Sequence, residues 1–287
     1  MSARGATSWC LMRFLMILFC AAACAFPQQR IVSTSPAITE TLFALGVGER
    51  VVGVSEYCHF PAEATTRAKI GSYLKPNIET ILRLRPDLVI GERLPGNAIE
   101  QMRRTGLHVL EVTYGDVAAN LHTIEEIARA TNSLAAGRGL IARVHADLSR
   151  VELAAKGRPR RTVLFIVGRT PGRLDGMVAV GKGSYLNELI AKAGGRNLMA
   201  DSVVAYPKIS LEGVVRMRPD VIIDMGDMAD TAGVTDAYRQ SVVALWKGRQ
   251  DIPSRIHAVA SDIFVVPGPR MADAAREFLR LVQGENK

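Results

Sequence analysis

Cysteine is nearly absent from the body of this chain. Of its four cysteines, Cys10, Cys20 and Cys24 lie in the first 24 residues, and Cys58 alone stands further on. Once that N-terminal stretch is removed, no internal disulfide is possible. Aromatic residues make up 6% of the chain, and no run of five or more like charges occurs despite a net charge of +8. Nucleic-acid binding is not supported, because it calls for clustered basic charge. His59, His108, His122, His145 and His257 are scattered, with no pair at the spacing of a zinc helix. There is no G-x-S-x-G elbow for a serine nucleophile. Gly46-Val-Gly48 follows a helical pattern rather than a strand, and Gly181-Lys-Gly-Ser184 lacks the third glycine and the Walker spacing. Neither is a phosphate loop.

One long apolar run is present, Phe14 to Phe26. It falls short of the roughly 20 residues needed to cross a membrane. Arg4 and Arg13 precede it and Ala23-Cys24-Ala25 closes it. This is the charged, apolar and small-residue order of an export signal. Residues 1–25 are assigned to it, and a soluble exported product is expected. The alternative is a lipid anchor on Cys24, although Ala21-Ala-Ala-Cys24 lacks the usual leucine three places before the cysteine.

A stretch that occurs twice organises the remainder. Asn77-Ile-Glu-Thr-Ile-Leu-Arg-Leu-Arg-Pro-Asp-Leu-Val-Ile90 aligns without a gap on Ser210-Leu-Glu-Gly-Val-Val-Arg-Met-Arg-Pro-Asp-Val-Ile-Ile223. Each copy reads as a capped helix, a proline stop and a strand buried on both faces. The residue before each proline is expected to be extended. One helix-strand unit repeated so far apart fits two similar α/β lobes rather than a solenoid.

Taken in order, strands are expected at Arg30–Ser33, Val51–Val54 and Val109–Val112. Helices are expected from Ser35-Pro36 to Gly46, with Ser35 as cap, and over Ile99–Arg104 and Leu121–Ala130. Leu134–Lys156 contains no proline and reads as one connecting helix of roughly 35 Å. Gly137 and Gly139 weaken its start, so it begins at Leu134 or nearer Leu140. Beyond it come a strand at Thr162–Val167, helices at Tyr185–Ala193 and Ala237–Trp246, two apolar strands at Ile256–Val259 and Ile263–Val266, and a terminal helix at Met271–Leu281. The divisions are residues 26–132 for the first lobe, 133–157 for the connecting helix and 158–287 for the second lobe.

Candidate chemistry is sparse. Cys58-His59 is the one suggestive pair, either as the centre of an α/β enzyme or as a soft metal ligand. Neighbouring loop residues rarely point together, which weighs against a dyad. Tyr57, Phe60, Tyr73 and Tyr206 stand in loops beside strand ends or before the repeated helices. Singly, each reads as a loop anchor. Together, beyond the carboxyl ends of two facing sheets, they line a ligand cleft.

Several motifs resemble the periplasmic binding proteins of ABC importers for cobalamin and iron chelates. They are Ser35-Pro-Ala-Ile-Thr-Glu-Thr-Leu-Phe-Ala-Leu-Gly46, Tyr57-x-x-Phe-Pro-x-Glu-Ala64, Gly71-Ser-Tyr73, the two Arg-Pro-Asp repeats, Gly183-Ser-Tyr-Leu-Asn-Glu-Leu189 and Ala193-Gly-Gly195. The likeness spans nearly all of residues 30–282 and is strongest to the cobalamin-binding branch. It implies two Rossmann-like lobes joined by a single long rigid helix, with the ligand in the cleft between them. The implied protein is a receptor and not an enzyme. It has no cofactor, and as a monomer it delivers a corrinoid to an importer's permease dimer. Tyr57 is similar to a corrin-touching tyrosine. Tyr73 and Tyr206 stand where that branch has tryptophans, and Ser261-Asp262-Ile263-Phe264 matches a ligand-contacting loop. Glu79 and Glu212 match the family's transporter-docking carboxylates. A haem or ferric siderophore is the alternative ligand, for which Arg93, Arg169 and Arg173 are the cations on offer.

Overall fold

A computed structural model describes residues 29–227 and 235–284. Residues 1–25, and with them the expected export signal and Cys24, lie outside the described residues. The first lobe contains β1 (Ile31–Ser33), α1 (Pro36–Ala44), β2 (Val51–Val54), β3 (Ala68–Lys69), α2 (Ile78–Arg83), β4 (Leu88–Glu92), α3 (Ala98–Arg104), β5 (Val109–Val112) and α4 (Val117–Ala130). Its five strands are all parallel, in the order β3-β2-β1-β4-β5. This is a doubly wound sheet whose connections change direction between β1 and β4.

The connecting helix α5 runs unbroken over Leu134–Ala155. Gly137 sits inside it for a packing reason. A Cβ there would lie 2.5 Å from the Cβ of Ala128, so the glycine lets α5 press against α4. Beyond α5 lie β6 (Arg161–Gly168), β7 (Met177–Ala179), α6 (Tyr185–Lys192), β8 (Gly195–Asn197), β9 (Lys208–Ile209), α7 (Leu211–Met217), β10 (Val221–Asp224), α8 (Asp236–Lys247), β11 (Arg255–Ala258) and α9 (Met271–Gln283). The second sheet is mixed, in the order β11-β10-β6-β7-β9, with β8 pairing on the start of β6. β7 runs antiparallel to β6 and to β9. Among the described residues no helix is long and apolar enough to cross a membrane.

The repeat does in both lobes what its sequence requires. Asn77 Oδ1 accepts from Thr80 N at 2.9 Å, and Ser210 Oγ accepts from Gly213 N at 3.2 Å, so both helices are capped. The repeated aspartates also share a task. Asp87 Oδ2 accepts from Arg30 N at 2.7 Å, and Asp220 Oδ2 accepts from Thr162 N at 2.7 Å. Each carboxylate thereby ties the start of its own strand to the start of the strand beside it. The residue before each proline departs from the expected extended backbone. Arg85 (φ 47°) and Arg218 (φ 48°) are left-handed. The left-handed residue ends the helix, and the proline after it has no amide to leave unpaired.

Two further expectations are corrected. Ile263–Val266 is not a strand, because Asp262–Phe264 coils into a 3₁₀ turn that drops Phe264 into the core. There it packs on Phe165 and Phe278 at centroid distances of 5.5 and 5.0 Å. Ser35 occupies the N-cap position of α1, but its hydroxyl makes no capping bond.

The apolar core does not stop at the lobe boundary. One contiguous cluster includes Ile31 and Ile90 of the first sheet, Leu140, Val144 and Leu148 of α5, and Phe165 and Ile223 of the second. A left-handed conformation costs roughly 1–2 kcal/mol for a residue with a Cβ, and most for a β-branched one. Arg218 already carries that cost, so Arg218→Val is expected to lower unfolding stability only by the added β-branched penalty, about 0.5–1 kcal/mol, and Arg218→Gly to raise it by up to about 1 kcal/mol. Urea titrations of the two variants check the order. A valine variant as stable as the glycine variant would refute it.

Candidate functional site

The two lobes are joined across their facing edges by polar contacts from both sides. Tyr185 N donates to Gly115 O at 2.9 Å, and Val117 N donates to Glu188 Oε1 at 3.1 Å. The second contact places a carboxylate of one lobe on the helix N-terminus of the other, where the dipole favours it. Arg270, just ahead of α9, makes the strongest junction. Its Nε donates to Glu40 Oε2 at 2.9 Å and its Nη2 to Glu40 Oε1. Nη2 also donates to Asp262 Oδ2 at 2.9 Å, and Nη1 to Asp262 Oδ1 at 3.2 Å. The Glu40 side chain is 2% exposed. Burial works against the Arg270 charge, but Glu40 and Asp262 more than offset it and hold the guanidinium above its ordinary pKa.

Phe60 lies over that guanidinium, with Arg270 Cζ 4.0 Å from the ring centroid. Tyr57 and Tyr73 meet edge to face at 5.7 Å. On the other side Tyr206 Oη is 3.2 Å from Ser184 Oγ. All four rings remain open to solvent, at 49% for Tyr57, 45% for Phe60, 38% for Tyr73 and 47% for Tyr206. Exposed rings fixed by neighbours present flat faces to a ligand at little entropic cost. Ser261, Asp262 and Ile263 are half-buried beside them, whereas Phe264 is fully buried. The resemblance puts Phe264 on a ligand-contacting loop, but the 3₁₀ turn points it inward.

The three arginines offered to an anion are each already engaged. Arg93 Nε donates to Glu111 Oε1 at 2.5 Å, and Arg173 Nη2 lies 2.7 Å from Asp175 Oδ2. Arg93, Tyr73 and Glu92 share a hollow of about 200 Å³. Arg169 is not in the cleft at all. Its side chain is 2% exposed and its Nε donates to Asp224 Oδ2 at 2.9 Å. Asp224, fully buried, also receives Trp246 Nε1 and Gly226 N.

Cys58 and His59 point apart. Cys58 is fully buried, with its Sγ 3.2 Å from Thr39 Oγ1 and 3.3 Å from Ser55 Oγ, while His59 is exposed. Burial pushes the Cys58 thiol above its ordinary pKa, so it stays protonated and unreactive. The pair forms neither a dyad nor a joint soft-ligand site.

Glu79 and Glu212 both lie exposed in the first turns of α2 and α7. Glu79 pairs with Arg83 one turn on, at 2.9 Å. Glu212 is held below the ordinary carboxylate pKa by its own backbone amide and by the Ser210 hydroxyl, and so keeps its charge. Beside it opens a broad concavity of about 790 Å³ with Arg173, Lys208 and Arg249 on its walls.

Sequence reasoning missed Ser35 as a buried hydroxyl that makes no capping bond, and also Glu40, Glu92, Tyr114 and Arg270. A signal existed for Glu92, an acid directly after the apolar run of a buried strand. None existed for Glu40 and Arg270, which are 230 residues apart.

The family described as periplasmic binding protein matches residues 31–247. The vitamin B12-binding protein of Pectobacterium atrosepticum is 29% identical over 273 residues, which is 91% of this chain and 90% of that protein. The periplasmic heme-binding protein RhuT of Roseiflexus sp. RS-1 superposes with a TM-score of 0.73 at 29% identity, covering 89% of this chain and all of the other. The fold is also that of the periplasmic vitamin B12 binding protein BtuF of Vibrio cholerae, with a TM-score of 0.69 at 24% identity over 91% of this chain and 99% of that one.

The burial of Arg169 has a direct consequence. Removing one partner of a buried ion pair costs about 3–5 kcal/mol. Arg169→Met is therefore expected to lower unfolding stability by that amount, while ligand affinity of the folded fraction is unchanged. A variant of normal stability with weakened ligand binding would return Arg169 to the cleft.

Proposed function

The chain belongs to the periplasmic binding protein family, and on that premise we propose that it captures a corrinoid in the periplasm and hands it to an ABC importer. What carries the choice of ligand is the charge state of the cleft. Tyr57, Phe60, Tyr73 and Tyr206 offer aromatic faces. Arg93, Arg169 and Arg173 already hold carboxylates. Haem and ferric siderophores bring anionic groups that need free cations, whereas the rim of a corrinoid is made of neutral amides. The likeness to the B12-binding relatives runs the same way. The haem-binding relative shares the scaffold and keeps an iron chelate as the competing reading. No catalytic group is needed, since the activity is binding and release. The N-terminal residues 1–25 act as the export signal in this reading.

Titration of the purified protein with cyanocobalamin, haemin and a ferric siderophore is the test. Saturable binding of cyanocobalamin, much tighter than of the other two, is the expected result. Tight binding of an iron chelate with none of cyanocobalamin overturns the reading.

Glu79 and Glu212 dock the receptor on the permease dimer, one lobe to each half. Both are exposed, so Glu79→Ala and Glu212→Ala should change stability by no more than about 0.5 kcal/mol, and ligand affinity should stay intact. Importer binding should fall in each single variant and further in the double variant, because a permease cation loses its carboxylate in the interface. Pull-down on the importer, run beside ligand titration, measures this. Normal docking by the double variant, or ligand affinity lost in parallel with docking, rules these residues out as dedicated contacts.

A further inference from the structure

In an open parallel sheet the ligand sits beyond the strand ends where the connections change direction. In the first lobe that point lies between β1 and β4, which pair with Ser33 opposite Ile90. The residues just beyond are Ser35 after β1 and Glu92 at the end of β4. Ser35 is 2% exposed. Its hydroxyl bonds no amide of α1, and among the described residues its Oγ has no hydrogen-bond partner of ordinary geometry. Tyr114, in the loop after β5, also has a buried Oη with no hydrogen-bond partner among the described residues. Native proteins rarely leave such groups unsatisfied, and each one calls for an explanation.

Glu92 is the group between them. Burial raises the pKa of its carboxyl. Ser35 lies close enough to lower it in part, although the two make no hydrogen bond of ordinary geometry. Its charge is felt by Tyr73 and Tyr114 within the lobe and by Tyr206 of the opposite lobe. The next residue, Arg93, is engaged by Glu111 instead. Glu92 thus lines the hollow it shares with Tyr73 and Arg93 with no paired cation among the described residues, steadied by the Ser35 hydroxyl and beside the Tyr114 hydroxyl, which has no partner there.

A carboxylate only accepts hydrogen bonds, whereas serine and tyrosine hydroxyls also donate. A primary carboxamide carries two N–H donors and one C=O acceptor. Its amide nitrogen fits Glu92, which Ser35 steadies, and its carbonyl fits Tyr114. A ligand carboxylate placed here would meet Glu92 charge to charge, partly shielded from water. We propose that Ser35, Glu92 and Tyr114 form a carboxamide-reading subsite, which selects the amide rim of a corrinoid and rejects carboxylate-edged ligands. This rests on the corrinoid reading above.

The probes are cyanocobalamin and its monocarboxylic acid derivatives, in each of which one peripheral amide is hydrolysed. At neutral pH at least one derivative should bind the wild type about 10–100-fold more weakly than cyanocobalamin, the range set by one charge-assisted hydrogen bond. Glu92→Gln should abolish most of that gap, because glutamine both donates and accepts. Tyr114→Phe should weaken cyanocobalamin without favouring the acid. In the wild type the gap should narrow as pH falls through the raised Glu92 pKa, since a protonated Glu92 no longer repels a carboxylate. Thermal melts report folding, and if Glu92→Gln fails to fold, the pH profile and Tyr114→Phe still decide. Wild-type protein that binds no corrinoid overturns the corrinoid reading and this subsite together. Wild-type protein that binds cyanocobalamin but treats every acid derivative alike overturns the subsite alone, as does a gap unchanged in Glu92→Gln.

Discussion

A guanidinium held between two lobes is the constraint on which this structure turns. Arg270 is a charge taken largely out of water, and such a charge is tolerated only when its donors are met. Glu40 supplies a carboxylate from the first lobe and Asp262 one from the second, with Phe60 covering the face. The relative placement of the lobes follows from this, because moving either one strands Arg270 or Glu40 without its partner. The aromatic wall depends on it as well, since Phe60 rests on the same group. α5 sets the distance between the lobes along one side, and the arginine fixes them together at the base of the cleft.

What was legible in the sequence was local or repeated. Caps at Asn77 and Ser210, the glycine after α1 and the proline-free run of α5 can each be read from neighbouring residues. The duplication told more, because equal residues at equal positions imply equal tasks, and Asp87 and Asp220 do share one. Features set by tertiary contact were not legible. Arg85 and Arg218 are left-handed because each helix must end before a proline that leads into the next strand. Ile263–Val266 has the apolar content of a strand, but Phe264 gains more by joining Phe165 and Phe278 in the core. Arg169 looked like any loop arginine until β10 brought Asp224 against it.

The candidate site shows the same division. Its aromatic members could be named because large apolar rings in loops are unusual and stand beside strand ends. Its polar members could not, because their roles depend on strand order. Ser35 and Glu92 become neighbours only when β1 and β4 pair, and nothing in the intervening residues announces that pairing. Charge counting misled for a related reason. An arginine in a loop is a free cation only if no carboxylate is folded onto it, and here Arg93, Arg169 and Arg173 each have one.

The core running through α5 bears on how the molecule comes apart. Two lobes separated by a cleft resemble two folding units, and many two-lobed chains melt in two steps. Here Leu140, Val144 and Leu148 belong to the same apolar cluster as Ile31 on one side and Phe165 on the other. Unravelling either lobe strips the cover from a helix that the other still needs. Partial opening therefore exposes apolar surface in both halves at once, and the free energy of a half-unfolded state rises towards that of full denaturation. The chain is bilobal in shape but a single cooperative unit in thermodynamic terms. The cleft can stay open to solvent without the protein having to be loose.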